Sequence, residues 1–61
     1  MTNINADDLA ALRDRLRAHR RDLVCRLAAS GALDAGLIAM LADAEAGIRA
    51  VDAVADEPGI D

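Results

Sequence analysis

The stretch Ser30-Gly31-Ala32-Leu33-Asp34-Ala35-Gly36-Leu37-Ile38 decides how this chain folds. Gly31 suits the left-handed residue that commonly closes a helix, and the Asp34 carboxylate suits the cap of the next one. Leu33 and Ile38 stand at the N′ and N4 positions of that second start, the spacing of a hydrophobic staple. A helix end and a helix start separated by so short a link force the two helices to run antiparallel.

Upstream, Ile4-Asn5-Ala6-Asp7-Asp8-Leu9 repeats the same start logic. Asn5 caps, Asp7 and Asp8 meet the positive end of the helix dipole, and Ile4 with Leu9 forms a second staple. Leu9, Leu12, Leu16, Leu23 and Leu27 fall on one face at about 100° per residue, which predicts a helix over 6–30. Downstream, Leu37, Leu41, Ala44, Ile48, Val51 and Ala55 alternate steps of four and three, a heptad seam that predicts a second helix over 35–55. Asp56-Glu57-Pro58-Gly59 stops it, because the residue before proline is pushed out of the helical region. Residues 1–5 read as an N-terminal arm and 56–61 as a flexible tail. Antiparallel pairing sets Leu9 near Ala55, Leu16 near Ile48 and Leu23 near Leu41.

The second helix carries more apolar surface than one partner helix covers. Ile38 lies on one flank of its seam, and Met40, Val51 and Val54 lie on the other with Gly36 and Gly47, glycines that permit close approach. Gly36, Leu37, Ile38, Met40, Leu41, Gly47, Ile48, Val51 and Val54 are therefore the expected interface residues. Two hairpins packed as a four-helix bundle homodimer would cover them. The size of the chain argues the same way. Sixty-one residues form one small domain, in the range where folding hides only about 60% of the unfolded surface. A single cysteine, Cys25, excludes an intrachain disulfide, which leaves oligomerisation as the usual compensation. With no Phe, Tyr or Trp, the core must be built from aliphatic ridges and close alanine contacts.

The charges divide by helix. Arg13, Arg17, Arg20 and Arg21 form a basic stripe on the first helix, and Glu45, Asp52 and Asp56 an acidic one beside the seam of the second. The arginines are candidate anion or nucleic-acid contacts, in a layout similar to the Rop-type hairpin dimers that bind RNA loops, a likeness of architecture without a shared motif. The net charge of −4 and the absence of stacking aromatics favour pairing between the helices instead, Arg20 with Glu45 and Arg13 with Asp52. His19 falls where the leucine rhythm expects an apolar residue, and reads as a boundary histidine paired with Asp22 rather than a buried one. Cys25 sits opposite the leucine face, in line with Ala11 and Ala18, as a thiol without an assigned role.

No metal, cofactor or catalytic constellation is expected: the carboxylates are spaced along solvated faces, and His19 and Cys25 do not share a face. The start lacks the charged and apolar regions of a secretory signal, and no apolar run reaches the roughly 20 residues that cross a bilayer. All seven basic residues are arginine, which with the many alanines suggests a GC-rich, bacterial-type coding source and a cytoplasmic protein. The expected function is protein interaction without catalysis, by an adaptor, regulator or accessory subunit that packs helices against itself or against a larger partner. An RNA- or DNA-binding regulator and a stabilising subunit of an enzyme complex are the alternatives.

Overall fold

The computed structural model describes residues 5–58. It is an all-helical hairpin of two α-helices, α1 (Ala6–Ser30) and α2 (Ala35–Ala55), packed against each other along their length. Each start is built as its sequence dictates. Asn5 Oδ1 accepts the backbone N–H of Asp7 at 2.7 Å and of Asp8 at 3.4 Å, and Asp34 Oδ1 accepts that of Leu37 at 3.1 Å. These caps satisfy donors that the first turn leaves without intrahelical partners. Gly31 closes α1 at φ +70°, a conformation glycine adopts without the steric cost a Cβ would bring. Ser30 steadies the turn, its hydroxyl lying 3.0 Å from the Leu27 carbonyl and 2.8 Å from that of Ala32. At the far end α2 closes with Asp56 N–H donating to Asp52 O at 3.2 Å and Glu57 N–H to Val54 O at 3.0 Å.

The staples fare differently from the caps. Leu33 is 90% exposed, so it does not fold back onto Ile38, and Asp34 alone sets the entry angle of α2. The Ile4–Leu9 staple involves Ile4, which lies outside the described residues, as do residues 1–3 of the arm and 59–61 of the tail.

The seam of α1 differs from the leucine face. Apart from the half-buried Ala10, its buried and half-buried positions are Leu9, Arg13, Leu16, Arg20, Leu23 and Leu27, again alternating steps of four and three, whereas Leu12 and His19 are exposed. Against α2 the antiparallel register places Leu9 opposite Ala55, Arg13 opposite Val51, Leu16 opposite Ile48, Arg20 opposite Ala44, Leu23 opposite Leu41 and Leu27 opposite Leu37. Leu23 is wholly buried, and Leu9, Ala44, Ile48 and Val51 complete the buried core among the described residues.

Five buried side chains make a thin core. The molecule is a rod of 45 × 17 × 15 Å that exposes 4544 Å², against about 3,800 Å² for a compact monomer of this mass. The surplus follows from the layout, because two helices side by side bury one stripe each and leave both broad faces of the pair uncovered.

Candidate functional site

The two broad faces of the hairpin are chemically unlike. The antiparallel arrangement and the helical period of about 100° per residue sort side chains to one side of the seam or the other. Within about a quarter-turn of the seam on one side lie Arg13, Arg17, Arg20 and Val24 of α1 with Glu45 and Asp52 of α2. On the other side lie Leu12, His19 and Leu23 of α1 with Met40, Gly47 and Val51 of α2, and neither a carboxylate nor an arginine. The Arg20–Glu45 ion pair, 3.1 Å from Nη1 to Oε1, joins the helices across the first face and confirms the sorting.

The charged face treats its arginines unequally. Arg20 and Arg13 are half-buried, and their aliphatic stems occupy seam positions that an apolar side chain fills elsewhere. Arg20 reaches Glu45 as its position predicts. Arg13 does not pair with Asp52, which corrects that expectation: its Nε is buried without a hydrogen-bond partner among the described residues. It lines a shallow apolar groove of about 200 Å³ at the open end of the hairpin with Ala6, Leu9, Ala10, Val51 and Ala55. The physical reason lies in the acid, since Asp52 is one methylene shorter than Glu45 and remains in solvent. Arg17 and Arg21 are exposed. The four arginines are thus not one free stripe: two are drawn into the helix pair and two face water.

Among the expected interface residues, Ile48 and Val51 are buried against α1 within the chain, and Leu37 and Leu41 are half-buried there. Gly47 also belongs to the intrachain contact, because a Cβ built on it would stand 3.5 Å from both Leu16 methyl carbons. Gly36 makes room for the Asp34 carboxylate, 3.2 Å from the same construction. What α2 leaves open is Met40 at 44% exposure, Ile38 at 42% and Val54, half-buried. To these α1 adds Leu12 at 39% and Val24 at 48%. The leucine face had assigned Leu12 to the intrachain seam, so spacing of apolar letters alone missed it as surface.

His19 is exposed, and its expected partner is engaged elsewhere: Asp22 forms an ion pair with Arg26, 3.1 Å from Oδ2 to Nε, one turn further along α1. Cys25 is an exposed free thiol. Among the described residues no three histidine, cysteine or acidic side chains are grouped as a metal site would need, and no helix is long and apolar enough to cross a membrane. The chain matches no protein-family model, no curated protein and no solved structure.

Proposed function

We propose that this chain is a small non-enzymatic interaction module that works through helix–helix packing, and that it associates with a second copy of itself as a four-helix bundle. The observation that carries the reading is the apolar surface the hairpin cannot cover. Leu12 and Met40 remain about two-fifths exposed beside a core of five buried side chains among the described residues. Each Å² of that surface left in water forgoes roughly 25 cal/mol, and pairing of hairpins recovers it on the scale a bundle needs. The inward engagement of Arg20, and in part of Arg13, favours this over a nucleic-acid surface, which would need the stripe free and presented to phosphates.

The test is a mass measurement by light scattering or native mass spectrometry over a dilution series, with helicity recorded on the same samples. The expected outcome is a helical dimer that dissociates on dilution, with helicity falling alongside mass. A fully helical, compact monomer at micromolar concentration refutes self-association. A chain that is poorly helical alone and gains structure only with a foreign protein favours the accessory-subunit reading instead.

A further inference from the structure

The hairpin offers two broad faces, and a second copy can use only one of them as the centre of a four-helix bundle. We infer that it uses the uncharged face, the one bearing Leu12, His19, Met40, Gly47 and Val54, and that the charged face with the Arg20–Glu45 pair stays outward. This rests on the self-association proposed above and adds which surface performs it.

Three features of the molecule support the assignment. The first is desolvation. Burying the charged face would take Arg17, Asp52 and the partly exposed Arg20–Glu45 pair out of water, and each ion buried without full hydrogen bonding costs several kcal/mol. The opposite face brings no formal charge closer to the seam than Asp8 and Arg26, which stand at its rim toward the two ends of α1, Arg26 already paired with Asp22; the polar group nearer its centre is the exposed His19.

The second is area. A face of a rod measuring 45 × 17 Å is on the order of 700–800 Å², close to the roughly 800 Å² per partner of a standard stable interface. One whole face is needed and one suffices. A small groove such as the one at Arg13, lined by six residues, would not hold a second copy.

The third is relief. Met40, Gly47 and Val54 are spaced by seven along α2, symmetrically about the glycine. When two α2 helices cross antiparallel with Gly47 at the crossing, Met40 of one protomer stands over Val54 of the other. Gly47 is half-buried, with the Leu16 methyls 3.5 Å from where its Cβ would stand, and presents only bare backbone beside that contact at the crossing. Leu12 and His19 provide the matching edge on α1, with His19 near the middle of the rod. Val24 and Ile38, the remaining large aliphatic residues exposed on the two helices, lie on the opposite side at the turn end, flanked by Arg20 and Glu45. They make a patch rather than a face.

The experiment compares paired substitutions on the two faces in the full chain, read by mass over a dilution series and by helicity. Leu12→Glu with Met40→Glu is expected to raise the dissociation midpoint at least a hundredfold, whereas Val24→Glu with Ile38→Glu should leave it within about threefold. His19→Leu adds apolar area at the centre of the interface in both copies and should lower the midpoint by about tenfold. That variant decides the matter even if the Leu12/Met40 pair fails to fold as a monomer. Dissociation by the Val24/Ile38 pair alone, or an unmoved midpoint in His19→Leu, overturns the face assignment while leaving self-association standing. A wild-type chain that is monomeric throughout the series overturns both.

Discussion

Arg13 and Arg20 stand one heptad apart at equivalent positions of the α1 seam, and the molecule accommodates them differently. Arg20 stands opposite Ala44, a small residue, in the antiparallel register, and its guanidinium crosses the seam to Glu45 at 3.1 Å. Arg13 stands opposite Val51, a larger residue than alanine, and the two line the groove at the open end. The acid that follows it, Asp52, stands where Glu45 stands in the other layer but is shorter. The result is a satisfied layer near the middle of the rod and an unsatisfied one near its open end, where Arg13 Nε is buried without a partner beside a shallow groove. An arginine in a helix seam is stable when two conditions meet: a small residue opposite, and an acid long enough to reach. One layer meets both and the other neither.

Substitutions can break that contrast, starting with the largest effect. Ala44→Leu fills the space Arg20 crosses and should destabilise the hairpin by about 1–3 kcal/mol, seen as a lower urea midpoint by circular dichroism. Val51→Leu, beside the groove that the Arg13 layer leaves open, should cost less than about 1.5 kcal/mol; equal losses would show that the two layers are not distinct. Arg13→Leu removes an unpaired polar atom and adds apolar contact in the groove, so stability should rise by roughly 1 kcal/mol, seen as a higher urea midpoint.

The matching change in the other layer, Arg20→Leu, gives up a partly exposed ion pair and should gain less or lose up to about 1 kcal/mol. If both arginines respond alike, the pairing at Glu45 contributes nothing. The smallest effect is the most specific. Asp52→Glu restores the missing methylene and should stabilise by a few tenths of a kcal/mol, in the range of about 0.2–1 for exposed pairs, and only while Arg13 is present. Its gain should vanish in the Arg13→Leu background and shrink in about 1 M salt. Protein concentration must be matched across all of these, because any association shifts the midpoints as well.

The same two arginines mark where the sequence is legible and where it is not. Asn5, Gly31 and Asp34 act on their own backbone neighbours, so their roles are local and the two-helix hairpin can be read from them directly. The α2 seam is equally plain, since every heptad position holds an aliphatic residue or alanine. In α1 the heptad leucines Leu9, Leu16 and Leu23 are compatible with two seams, one passing through Leu12 and His19 and the other through Arg13 and Arg20. Hydrophobicity prefers the first. The packed helices adopt the second, because the long arginine stems lie along the seam, Arg20 with its head on Glu45 and Arg13 with its Nε buried, leaving Leu12 and His19 at the edge. Which flank of each helix shares a face with which flank of its partner is likewise not a property of either helix alone. It emerges from antiparallel pairing, and with it the division into a charged and an uncharged side.

The four residues that join α1 to α2, Gly31 to Asp34, have a kinetic and concentration meaning beyond their geometry. A short tether holds its two ends at an effective concentration in the millimolar range, and intramolecular pairing of this kind can strengthen weak contacts by roughly 10²–10⁴. Five buried side chains are few for a bimolecular complex, yet they hold two helices that cannot diffuse apart. Leu33, almost fully exposed within that tether, is a natural point of attack for a protease that cuts beside large aliphatic residues. Once cut there, the hairpin becomes two free peptides, and its cohesion depends on dilution. The link is therefore the device that lets so thin a seam serve as a fold.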